Sequence, residues 1–121
     1  MSDENIQIDR RDDIIVVTLC SDEFQGEVAN SFLSTLTEAI EGTENPKVVL
    51  DLSNVVFVDS LSLGTLVKAA GDLTRKGGKF MVAGAQESVR RTLALTRLNK
   101  LFNILPTADE AIRELKEATG S

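Results

Sequence analysis

Val48-Val-Leu-Asp-Leu-Ser-Asn-Val-Val-Phe-Val-Asp59-Ser60-Leu-Ser62-Leu-Gly64-Thr is the stretch on which the fold turns. Its β-branched, apolar first half suits a strand covered on both faces, and it stops on Asp59-Ser60. Beyond that point Leu63, Leu66, Val67, Ala70 and Leu73 recur at the i, i+3, i+4, i+7 spacing of an amphipathic helix. A strand running straight into a helix delivers the Ser60 hydroxyl to the rim of a sheet and the mouth of a helix. A phosphate added there is favoured by the helix dipole. Serine is equally a preferred helix N-cap, so a purely structural role for Ser60 also satisfies the pattern.

The same alternation extends in both directions. Ile6 to Ile8 and Ile14 to Leu19 read as two strands, with Asp9-Arg-Arg-Asp12 as the turn of an antiparallel hairpin. Val28, Phe32, Leu36 and Ile40 give a helix between Gly26 and Gly42. Lys47 to Leu52 is the central strand, and the helix from Ser60 to about Lys76 is stopped by Gly77-Gly78. Lys79 to Gly84 is a further buried strand, followed by a helix with Val89, Leu93 and Thr96 on one side. Leu98, Leu101 and Phe102 anchor the next connection, and Ile104-Leu105 marks a last strand. Thr107 and Glu110 form a capping box ahead of a helix carrying Ala111, Ile112 and Leu115. Alternating strands and helices require a largely parallel sheet with right-handed crossovers. The expectation is one α/β domain over 1–121, with its core at about 6–117. It should have a mixed, mostly parallel sheet of four to five strands, an amino-terminal antiparallel hairpin strand and about four helices.

Composition narrows function. The chain has no histidine and one cysteine, which removes Ser-His-Asp triads, histidine general bases, and zinc sites built on histidine or a thiolate cluster. Cys20 reads as a small core residue. A net charge of −6, with five phenylalanines as the only aromatics, argues against nucleic acid as the main partner. Met1-Ser-Asp-Glu-Asn5 lacks the cationic start and apolar run of a signal peptide, and no window approaches the ~20 apolar residues of a membrane span. A cytoplasmic protein without membrane insertion is expected, not an enzyme, and with no cofactor.

The segment from Val48 to Thr65 resembles the signature of STAS domains, particularly of bacterial anti-sigma factor antagonists: a strand, Asp-Ser, a small polar residue, Gly-Leu-Gly, then a helix. The resemblance takes in Lys76-Gly-Gly-Lys-Phe80, the run from Val89 to Ile104 with Thr96, Leu98 and Phe102 as landmarks, and Thr107 with Glu110-Ala111. It covers about residues 6 to 117. It implies that Ser60 is the residue a partner kinase phosphorylates. It also implies an anti-sigma factor that is a serine kinase and a metal-dependent serine phosphatase as partners. Partner binding is accordingly expected at Asp22, Gln25, Asp59, Ser60, Leu61 and Ser62, with Ser62 the expected secondary phosphoacceptor.

This chain departs from the family pattern at four places. Ser62 replaces a glycine, Leu61 a small polar residue and Gln25 an acidic residue, and Arg97 stands where a glycine is usual. Leu61 falls off the helix's apolar stripe and is expected on a partner-facing rim. Gly64 is expected to allow close helix packing. Asp59 either orients the Ser60 hydroxyl or competes with it for the cap. Two other functions fit parts of the pattern. One is a STAS scaffold subunit of a lipid-transport or stress-signalling complex. The other is a receiver domain with Asp51 as phosphoacceptor; it wants a lysine after a late strand, and none follows Ile104-Leu105.

Overall fold

The computed structural model describes residues 5–120. Met1 to Glu4, used above to argue against a signal peptide, lie outside the described residues. Strands β1 (Ile6–Arg11), β2 (Ile14–Leu19), β4 (Lys47–Asp51), β6 (Lys79–Ala83) and β7 (Asn103–Leu105) form a five-stranded sheet in the order β1-β2-β4-β6-β7. Only β1 is antiparallel, paired to β2 with Ile6 opposite Leu19. The other neighbours are parallel, with Ile14 opposite Lys47 and Lys47 opposite Lys79. A separate parallel pair joins β3 (Glu23–Phe24) to β5 (Phe57–Val58). The expected mixed α/β architecture is present, and β2, β4 and β6 are its interior strands.

Helices α1 (Gly26–Ile40), α2 (Ser60–Arg75) and α3 (Glu87–Leu95) alternate with the strands, and α4 (Ala108–Gly120) closes the order. Alternating side chains divide the sheet's apolar residues between two faces. Val17, Leu19, Val48, Leu50 and Val82 join the cluster holding Phe32 and Leu36 of α1, Leu66 and Leu73 of α2 and Val89 and Leu93 of α3. Phe24 and Phe32 meet edge to face there, with ring centroids 5.7 Å apart. Ile14, Val16, Val49 and Met81 point the other way, onto Ala111, Ile112 and Leu115 of α4. Thr107 caps that helix, accepting the Glu110 N–H at 3.1 Å. Among the described residues no helix is long and apolar enough to cross a membrane.

Several local expectations are corrected. The hairpin turns at Asp12-Asp13, not across Asp9–Asp12, because β1 keeps its register through Arg11 opposite Ile14. Asp12 takes the left-handed conformation that aspartate tolerates, φ 57°. Cys20 is exposed, since it lies one residue past β2 where the chain leaves the sheet. Leu101 is exposed while Leu98 and Phe102 are buried. On α2 the buried stripe is Ser62, Thr65, Leu66, Ala69, Ala70 and Leu73, so Leu63 is half-buried and Val67 faces solvent. Arg97 adopts φ 64°, the conformation a glycine there would supply. Gly77 stops α2 as expected, at φ 73°.

Candidate functional site at the carboxyl edge of the sheet

Because β2 and β4 are parallel, the chain leaves both at the same edge, where functional loops of open α/β sheets collect. The β3–β5 pair ties the two exit loops together. Val56 and Phe57 N–H groups donate to the Asp22 carbonyl at 2.8 and 3.3 Å, and the Asp59 N–H donates to the Phe24 carbonyl at 3.3 Å. The loop before α1 and the loop before α2 are therefore one cross-linked unit.

Asp59, not Ser60, caps α2. Its backbone is extended, and its Oδ1 accepts the Ser62 N–H at 2.8 Å. A carboxylate one residue ahead of the serine is the stronger acceptor and carries the charge the helix dipole favours. Of the two roles open to Asp59, capping is the one observed. The Ser62 N–H holds the Asp59 carboxyl below its ordinary range; the Ser62 hydroxyl lies near and adds to this without reaching hydrogen-bond geometry. Ser60, freed of the cap, is an exposed first-turn residue at a helix N-terminus.

The remaining residues divide. Leu61 is 54% exposed. Asp22 is exposed, and Gln25 is half-buried at the start of α1, its Nε2 donating to Glu23 Oε1 at 2.7 Å. Gln25 and Asp59 line one open cleft of about 520 Å³ with Ser21, Glu23 and Glu27. Ser62 turns the other way. It is fully buried, and its Oγ has no hydrogen-bond partner. The fold thus withdraws Ser62 from any surface and corrects its standing as secondary phosphoacceptor and partner contact. Asp51 closes β4 with Oδ1 accepting the Ser53 N–H at 2.9 Å, a turn-forming role. A receiver also needs an acidic pair after its first parallel strand, and of Asp22-Glu23, the residues that could imitate it, Glu23 belongs to β3 and pairs with β5.

Sequence reasoning missed Val56 and Phe57, which are 52% and 47% exposed beside this edge. The run Val55 to Val58 reads as buried strand, but β5 pairs only with β3 and lies outside the main sheet. Among the described residues no group of three or more acidic or cysteine side chains is placed to hold a metal.

The family model for the STAS domain matches residues 5–111. The chain belongs to the STAS family. A Thermotoga maritima protein provisionally named as an anti-sigma factor antagonist is 31% identical over 104 residues, covering 86% of this chain and 92% of that one. The anti-sigma F factor antagonist of Paenibacillus polymyxa is 28% identical over 112 residues, covering 93% and 92%. The crystal structure of an anti-sigma factor antagonist from Mycobacterium paratuberculosis superposes with a TM-score of 0.80 at 27% identity, covering 96% of this chain and 99% of that one. Asp51 therefore sits in a STAS domain, where the receiver reading has no support.

Proposed function

We propose that this STAS domain is an anti-sigma factor antagonist working as a non-enzymatic switch in the cytoplasm. Its unphosphorylated form binds an anti-sigma factor that is also a serine kinase, and the sigma factor is released. Phosphorylation of Ser60 ends that association, and a metal-dependent serine phosphatase restores it. The observation that carries this reading is the division of labour at the start of α2. Asp59 supplies the cap, so Ser60 is exposed at an anion-favouring position with no structural duty to lose.

A phosphate on Ser60 adds about −1.5 to −2 charges. It arrives beside the Asp59 carboxylate, on an edge that already carries Asp22 and Glu23. In a partner interface that charge must be desolvated next to a like charge, which ends binding while leaving the fold intact. Leu61, apolar and exposed one residue away, is a natural contact for the unmodified form.

Incubation with the cognate kinase and ATP, followed by phosphopeptide mapping, should place the phosphate on Ser60. Calorimetric titration with that kinase should show binding weakened in Ser60→Asp and Leu61→Asp and persistent in Ser60→Ala, each with unchanged circular dichroism. Phosphate on another residue, or wild-type affinity in both aspartate variants, would refute the proposal.

A further inference from the structure

Leu95 and Leu101 are the most exposed large apolar side chains among the described residues, at 79% and 57%. Leu95 ends α3, and Leu101 follows the 3₁₀ turn Leu98–Lys100. Because β6 and β7 are parallel, α3 carries the chain back from the carboxyl edge of the sheet to its amino edge, and both leucines lie there. Cations accompany them. Ser88 to Leu105 carries Arg90, Arg91, Arg97 and Lys100 and no acidic residue, and Lys79 opens β6, the strand beside β7. Arg91 pairs with Glu87, whereas Lys79, Arg97 and Lys100 are exposed and form no ion pair among the described residues. In a chain of net charge −6 this apolar, cationic corner is the exception, and bare apolar side chains grouped with unpaired charge mark a contact surface.

The opposite edge is its complement. Leu19 to Val28 and Asp51 to Ser62, the stretches that leave β2 and β4 there, carry Asp22, Glu23, Glu27, Asp51 and Asp59 and no lysine or arginine. Glu23 and Phe57 are exposed and stand opposite each other in the β3–β5 pair, with Val56 and Leu61 exposed on the same edge. An acid beside a ring at this end thus matches Lys100 beside Leu101 at the other. Further along α2 the surface thins. Gly64 is exposed with no atom within 4 Å of where a Cβ would stand, which corrects the expectation that it allows close packing inside the fold. The five residues of β6 hold the two edges about 16 Å apart, so the complementary surfaces cannot meet within one molecule.

We propose that the corner between α3 and β7 docks, head to tail, on the carboxyl edge of a second copy of this chain. Leu95 and Leu101 cover Val56 and Phe57, and Arg97 and Lys100 are brought to Glu23 and Glu27. The two surfaces differ, so the contact is heterologous, and each pair of molecules leaves one corner and one edge free to add further copies. A few side chains on each side make a weak contact, which forms with rising concentration. Ser60 and Leu61 of the receiving copy lie on the covered edge, so self-association withholds them from any other partner. The inference needs no phosphate on Ser60 and stands apart from the proposed switch.

Sedimentation velocity of the full chain tests this. The wild-type weight-average sedimentation coefficient should rise over a concentration series reaching about 1 mM and fall back as salt is added. Lys100→Glu and Glu23→Lys, both at exposed positions, should each weaken association at least tenfold with unchanged circular dichroism. An equimolar mixture of the two should associate again, because each variant keeps the surface that the other has lost. A contact between two like surfaces gives no such rescue. A wild type that stays monomeric throughout overturns the inference, as does undiminished association in both variants, or a mixture no more associated than either variant alone. Capture of the wild type by phosphatidylglycerol vesicles without self-association assigns the corner to an anionic membrane surface and overturns it as well. Each of these outcomes leaves the Ser60 switch standing, since that is read from kinase binding.

Discussion

Replacing Ser62 by alanine should make this protein more stable. Ser62 is the one residue of α2's buried stripe whose side-chain oxygen is sealed from solvent without a partner. A buried, unsatisfied hydroxyl costs about 1–3 kcal/mol, and alanine adds a few tenths through helix propensity. Against this stands the void left by one oxygen, roughly 0.3 kcal/mol at ~24 cal/mol per Å³. The Ser62 N–H that Asp59 caps is a main-chain group and survives the substitution, while the smaller favourable effect of the hydroxyl on the Asp59 carboxylate is lost and draws the gain toward the lower end of the range. The net expectation is a gain of about 1–2 kcal/mol. At about 2.1 cal/mol/K of unfolding entropy per residue, a 121-residue chain rises about 4–8 °C in Tm for that gain. Scanning calorimetry, with urea titration to confirm an unchanged m-value, reads it directly. A Ser62→Ala protein less stable than wild type would show that the hydroxyl is engaged in solution and that the reasoning fails.

Other expectations follow from the same geometry. The Asp59 carboxyl is held below 3.8, so its stabilisation is complete above that value and is lost as pH falls through the lower folded one. Asp59→Asn, which can still cap, should flatten the acid limb of a stability-against-pH curve from urea unfolding; an unchanged limb would assign acid sensitivity to other carboxylates. In Gly78→Ala the new Cβ meets the Pro46 carbonyl and ring, so a loss of about 1–3 kcal/mol in urea unfolding is expected. Phe24→Ala removes a fully buried ring that meets Phe32 edge to face, and it should cost about 3–5 kcal/mol. A loss below about 1 kcal/mol would mean that the site has collapsed around the truncation.

The framework of this fold was readable because its strands are short β-branched runs and its helices carry wide apolar stripes. Ile14 to Leu19 and Val48 to Leu50 could be little else. What escaped had specific causes. Ser62 and Thr65 are small enough to be buried on α2 despite their hydroxyls, which rotates the true stripe and turns Val67 outward. Phe57 looked like core because periodicity does not reveal that β5 stands apart from the main sheet. Cys20 looked like core because a strand's end is not visible as a change of composition. At the site, Asp59 and Ser60 are both good caps by type, and only the backbone shows which residue stands at the N-cap position. The exposed glycine at 64 was legible as a glycine but not as one without neighbours.

The capping arrangement also bears on how such a domain can change over time. Because the carboxylate at 59 holds the helix start, the side chain at position 60 is released from the capping role. It can pass among serine, alanine or an acidic residue while the cap stays in place, and under the proposed switch each exchange sets a different signalling state on the same scaffold. In that proposal, regulation and architecture rest on adjacent residues yet mutate independently. On the proposed function, a lineage could therefore lose, fix or restore phosphorylation at this position by single steps, without passing through an unfolded intermediate.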